Sequence, residues 1–135
     1  MSRAHALALS LLASACHGER DQAVRSEAGR VAEAVRKLRE ADGAAKRPLL
    51  VALEHETCTA EDVCALRKTC ADAYTLQVTA LESVAAVRHA NEDGKPLPPE
   101  AMALLAEASA KLEASNAATK TCADVEGAAR RKHGL

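Results

Sequence analysis

The chain has 135 residues, enough for one domain with a modest core. Its formal net charge is −1, with basic residues spread among acids, which leaves no field to draw in nucleic acid. Aromatics make up 1%, with Tyr74 alone, so base-stacking platforms are excluded and any binding surface is built from aliphatic and charged side chains.

The N-terminus reads as an address. Met1-Ser2-Arg3 is a short basic start, and Ala4 to Ala15 is apolar around Ala6-Leu7-Ala8-Leu9-Ser10-Leu11-Leu12. That stretch falls short of the roughly 20 residues needed to span a bilayer but has the length of a signal-peptide core. Ala13-Ser14-Ala15 then leads to Cys16, and the chain turns polar from His17 to Asp21. Ala13-Ser14-Ala15-Cys16 resembles the lipobox of the bacterial lipoprotein signal family, matching it at Ser14, Ala15 and Cys16, with Ala13 where Leu is usual. The resemblance covers about the first 16 residues. It implies that residues 1–15 are a signal peptide, that Cys16 carries a diacylglyceryl group as the new N-terminus, and that residues 16–20 are a tether to the membrane. His17, standing where Asp would retain the protein at the inner membrane, implies an outer-membrane location facing the periplasm or the surface. Two or three acyl chains anchor a protein stably with no spanning helix.

The remainder, residues 21–135, reads as a single helical domain. A first helix is predicted from about Asp21 to Ala41. Its apolar positions Val24, Ala28, Val31, Val35 and Leu38 step by 4, 3, 4 and 3, a narrow coiled-coil-like stripe. The stripe is expected to pack on the rest of the chain; its rival use is a homodimer seam. Glu33 and Lys37 form a favourable outward pair, and Gly43 ends the helix. Pro48 suits a helix's first turn and opens a short second helix to about Glu56. Leu49, Leu50, Val51 and Leu53 make it apolar on most faces, so it is expected to be buried, plugging one end of the bundle.

Thr59, followed by Glu61 and Asp62, reads as an N-cap with an acidic first turn, so a third helix is predicted from about Ala60 to Ala90. Val63, Leu66, Cys70, Tyr74, Leu81 and Val84 form its inward face. Asn91 to Pro99 is a dense cluster of turn residues. A last helix follows from about Pro99 to Arg130, with Met102, Leu105, Ala108, Leu112, Cys122 and Val125 inward. Ser115 and Thr119 thin that stripe, and Gly134 lies beyond the helix end. No strand candidate is visible.

The five cysteines are Cys16, Cys58, Cys64, Cys70 and Cys122. An odd count in an exported chain leaves one to explain, and lipidation of Cys16 does so. The other four, in an oxidising compartment, predict two disulfides. On one helix Cys64 and Cys70 lie about 9 Å apart along the axis on faces about 120° apart, whereas a disulfide needs Cα atoms within roughly 7 Å. Cys58, just before the helix, is roughly 15 Å from Cys70 by helical rise. The surviving pairing is Cys58–Cys64 with Cys70–Cys122. The antiparallel register centres Cys70 and Cys122 on the turn, although it tolerates Cys64 with Cys122 as well.

Sequence motifs for chemistry are lacking. His55, Cys58, Cys64 and Cys70 are too widely spaced for a zinc set. His17, His89 and His133 read as solvated, and Glu54, Glu56, Glu61 and Asp62 as helix-end charges. No nucleophile motif or phosphate loop is present. Arg130-Arg131-Lys132-His133 reads as a favourable helix C-terminus, with contact to an anionic lipid or polyanion as the alternative. The expected fold is all-α, a small disulfide-stapled bundle on a long antiparallel helical hairpin. The expected role is a non-enzymatic cell-envelope lipoprotein, a structural or protein-interaction module without metal or cofactor. The alternative is a periplasmic small-ligand or metal-responsive sensor or carrier.

Overall fold

The computed structural model describes residues 6–91, 94 and 96–135, with side chains from residue 18 onward. Four α-helices follow one another: α1 (Ala6–Glu40), α2 (Lys46–His55), α3 (Glu61–Ala90) and α4 (Pro99–His133). No strand occurs among the described residues. The fold is the all-α, disulfide-stapled bundle expected from the sequence.

The frame is the α3–α4 hairpin. Its antiparallel register is fixed by Asp62 against His133 near one end and by the Cys70–Cys122 disulfide farther along. Helix α1 runs antiparallel to α4: Arg25 Nη2 donates to the Gly134 carbonyl at 2.6 Å, and farther along Arg39 pairs with Glu126. The α1 stripe is consumed within the single chain, since Ala28, Val31, Val35 and Leu38 are fully buried. They meet Val63, Leu66, Tyr74 and Val78 of α3 and Cys122 and Ala129 of α4 in one core. Alanine at many contacts lets the helices approach closely and leaves the aliphatic side chains to fill the space.

Helix α2 turns back along the bundle after a 3-10 turn at Gly43–Ala45, where Gly43 takes a φ of 45° that L side chains rarely adopt. Leu50 and Leu53 are fully buried, Leu49 is half-buried and Val51 is 41% exposed. The short helix is therefore amphipathic, a lid along the flank with Val51 outward rather than a plug buried on most faces. Pro48 sits in its first turn as anticipated, but the helix opens earlier, at Lys46.

Several boundaries differ from the sequence reading. Helix α1 begins at Ala6 rather than near Asp21, because the Ala- and Leu-rich stretch before Cys16 favours helix and Gly18 alone is too weak a breaker to interrupt it. The proposed tether over 16–20 is thus helical backbone. The side chain of Cys16, the expected lipid-attachment residue, lies outside the described residues. Thr59 does not cap α3; Ala60 occupies that position without a side-chain bond. The Thr59 hydroxyl instead donates to Glu27 Oε1 at 2.9 Å, and its backbone N–H to Glu27 Oε2 at 2.8 Å. Glu33 is taken up mainly by Arg36 at 2.7 Å, while Lys37 stands at 3.9 Å. Helix α4 extends to His133 and ends in left-handed Gly134 (φ 64°, ψ 45°).

The hairpin is covered unequally. Helices α1 and α2 pack on the half that holds the chain's C-terminus, and the core runs out on α3 at about Val78. Toward the turn only small or single contacts are buried, at Ala80, Val87 and Ala108. Met102, assigned inward by periodicity, is 55% exposed there, and Leu104 is 36% exposed. No third helix reaches that far to receive them. The thin stretch around Ser115 is closed differently: Ser115 is 1% exposed, and its hydroxyl donates to the Leu112 carbonyl at 2.7 Å. Small size lets α4 lie close to its neighbours there.

Candidate functional site

Both expected disulfides are present. Cys58 and Cys64 have Cα atoms 5.3 Å apart, and Cys70 and Cys122 4.8 Å apart. The first ties the loop after α2 to the first turn of α3; the second crosses the hairpin, with both cysteines fully buried. With these thiols bonded, the set His55, Cys58, Cys64 and Cys70 holds no free thiolate for a metal. Among the described residues no three His, Cys, Asp or Glu side chains converge as a metal site requires.

Where α1, α3 and the end of α4 meet, a cleft of about 990 Å³ opens, lined by Val24, Arg25, Asp62, Lys132, His133 and Leu135 among others. His133 is not the solvated residue expected from the sequence: its side chain is 10% exposed and its Nε2 lies 2.7 Å from Asp62 Oδ2. Lys132 Nζ donates to the same oxygen at 2.8 Å. The basic run thus reaches across to the acidic first turn of α3, beyond any interaction with its own helix end. Lys132 foremost, together with His133, pulls the Asp62 carboxyl down from 3.8 to about 2. A carboxylate depressed in the folded state contributes stability that is fully present above its ordinary value and lost as pH falls through the folded one. The clasp should therefore hold above about pH 4 and fade toward pH 2. Urea midpoints of the parent and Asp62→Asn are expected to differ near pH 6 and to converge near pH 2. A gap that stays constant over that range would show that Asp62 stabilises by some other means.

At the waist of the bundle lies a second cleft, of about 420 Å³, lined by Arg39, Lys46, Tyr74, Gln77, Asn116, Thr119 and Lys120. The C-terminal turn of α1 supplies Arg39, the start of α2 Lys46, α3 Tyr74 and Gln77, and α4 the rest. Lys46 is 7% exposed. Its Nζ donates to the carbonyls of Leu38 at 2.9 Å and Arg39 at 3.3 Å, satisfying two of the orphan acceptors at the end of α1. It also stands 5.6 Å from the centre of the Tyr74 ring. Burial lowers its pKa, partly opposed by Asp42. Arg39 is held by Glu126, which is 4% exposed and also accepts from Arg130 Nε at 3.0 Å. The Oε1 of Gln77 is buried with no hydrogen-bond partner.

A third, more apolar groove of about 330 Å³ runs between the Gly43–Ala45 turn and α3, lined by Val78, Leu81, Val84 and Ala85, with Arg47 paired to Glu82 on its rim.

Sequence reasoning missed the waist cleft. Its residues come from four elements, and Lys46 falls between the first and second helices expected from the sequence. A cation just after a helix-ending glycine was the available signal. Among the described residues no helix is long and apolar enough to cross a membrane. No protein-family model, curated protein or solved structure matches the chain.

Proposed function

We propose that this chain is a lipid-anchored, non-enzymatic module of the bacterial cell envelope that presents its helical hairpin to another protein. The observation that carries the reading is the pairing of Cys58 with Cys64 and of Cys70 with Cys122. Two structural disulfides belong to an oxidising compartment, and their formation leaves Cys16 as the one cysteine without a partner assignment, at the lipobox-like position.

The direction of the molecule supports the second half of the reading. The middle of α1 and the end of α4 lie together, as the bond from Arg25 to Gly134 shows, with Cys16 farther out on the N-terminal part of the same helix. The turn lies at the other end of α4, whose 35 residues measure about 50 Å at helical rise. An anchor at Cys16 would hold one end at the membrane and project the turn, with exposed Met102 and Leu104, away from it.

The test is expression in a bacterial host with the chain's own leader, followed by intact mass and fractionation. The expected product starts at Cys16, carries acyl groups, shows four alkylations only after reduction, and sediments with membranes. Cys16→Ser should move it to the soluble periplasm with both disulfides intact. An unprocessed chain with reactive thiols would overturn the reading. For the presented end, a photo-crosslinker at Met102 should capture a defined envelope partner that one at Val51 does not. Equal capture at both positions would remove the hairpin turn from the proposal.

A further inference from the structure

The covered half of the hairpin ends in a step. The packing of α1 and α2 runs out near Val78, and the Gly43–Ala45 turn forms the riser. Beyond it the same face of α3 and α4 continues with no other described element over it. Tyr74 and Gln77 of α3 and Asn116 and Thr119 of α4 look toward α1 and α2 at the waist. Positions seven apart share a face in packed helices. Leu81 and Val84 therefore extend that face on α3, and Leu112, Leu105 and Met102 extend it on α4. Leu81, Val84, Leu105 and Leu112 are half-buried and Met102 is 55% exposed, so the face is apolar without being covered.

Complementary features sit at opposite ends of this face. At the step lies the open apolar groove of about 330 Å³, between the Gly43–Ala45 turn and Val78, Leu81, Val84 and Ala85. At the other end Met102 projects from the first turn of α4. The charges follow the same pattern, with Arg88 in the last turn of α3 and Glu82 nearer the step. Glu82 accepts from Arg47, and a carboxylate keeps further lone pairs for a second cation. A knob and a cation at one end, with a hole and an anion at the other, cannot all meet within one chain. A two-fold axis through the middle of the face exchanges its ends and matches both pairs twice.

We propose that this face seats a second copy of the chain, the two hairpins running in opposite directions as a lap joint. Met102 of each copy enters the groove of the other, and Arg88 of each meets Glu82 of the other. The step decides the direction. Helices α1 and α2 stand one helix diameter, about 10 Å, above the face. A parallel approach sets them against their counterparts and holds the two faces about 20 Å apart, whereas the antiparallel approach seats each hairpin against the other's step. The face is about 20 Å long and two helices wide, a footprint of about 400 Å². That is the small end of specific interfaces, so the association is weak, with a Kd on the order of 100 µM. The inference names the partner for the hairpin presented in the reading above. It rests on that reading for one consequence: anchors at Cys16 fall at opposite ends of the joint, which then links apposed membrane surfaces.

Sedimentation of the soluble Cys16→Ser chain should give monomer at about 5 µM and mostly dimer at about 1 mM. Ala85→Glu, at an exposed helical position, should keep the helical circular dichroism and weaken association about ten-fold or more. Arg88→Glu should weaken it about five-fold, and adding Glu82→Arg should restore it. In a mixture of isotope-labelled and unlabelled chains, a photo-crosslinker at Met102 should link to Leu81 or Ala44 of the other copy. Monomer at every concentration, Ala85→Glu associating like the parent, a charge swap without rescue, or links from Met102 to Met102 would each overturn the joint. In the bacterial host, capture of an unrelated protein at Met102 in place of a second copy would remove this partner and leave the hairpin as the presented surface. Association by a chain never processed at Cys16 would keep the joint and remove the anchor.

Discussion

Replacing Cys70 and Cys122 together by alanine is expected to lower the unfolding free energy by about 4 kcal/mol, and the same change at Cys58 and Cys64 by about 2 kcal/mol. The difference follows from the unfolded chain. The first bond closes 52 residues and the second 6, and the entropy removed from the unfolded ensemble grows with the logarithm of the loop. Packing widens the gap, because Cys70 and Cys122 are fully buried while Cys58 and Cys64 are half-buried. Truncating the first pair also leaves a small void. Urea unfolding followed by helical circular dichroism gives both numbers. The slope of free energy against urea supplies a second readout: it should rise more for the Cys70/Cys122 variant, whose freed unfolded chain exposes more surface. Equal costs, or a larger cost for the short loop, would sink the account.

The second large effect is expected on α2. Leu53→Ala should destabilise by about 3 kcal/mol, while Val51→Ala should stay within about 0.5 kcal/mol. A helix of ten residues has little stability of its own in water, so α2 holds its shape by the burial of Leu50 and Leu53. Leu53 has no exposed surface, and Val51, two positions earlier, is 41% exposed. Guanidinium midpoints of the two variants decide the matter. Similar losses at both positions would mean that α2 is covered on its outer face, by a partner or a second chain. Because Lys46 opens α2 and caps the end of α1, amide exchange in the Leu53→Ala variant should rise at the α1 C-terminus as well.

Much of the fold was legible because helices are rigid rulers. The disulfide pairing followed from rise and angle alone, and the Val24-to-Leu38 stripe announced its buried face by spacing. The failures share one cause: spacing says which face a residue occupies but not how far the neighbouring element extends. Met102 lies on the inward-spaced face of α4, yet α1 and α2 stop short of it. Thr59 had the chemistry of a cap, but Glu27, 32 residues away, offered a charged acceptor that no local window contains. His133 was drawn to Asp62 across 71 positions. The waist cleft was the least legible feature. Gln77 and Lys46 carry no motif, and their setting exists only once α1, α2, α3 and α4 have met. Cys16 is the reverse case, legible in sequence through its neighbours alone.

The position of the long disulfide has a mechanical consequence. Any load pulling on the hairpin turn is carried down both helices to the Cys70–Cys122 bridge, a covalent rung within the covered half of the bundle. Helical structure on the turn side can be pulled out as a closed loop of 52 residues, but the strands cannot unzip past the rung while it is oxidised. Tension then passes to the end of the bundle where the Val31, Leu38, Leu53 and Leu66 core is thickest. The chain is thus built with a compliant end and a stiff end, and a reductant is the agent that would make the whole of it extensible.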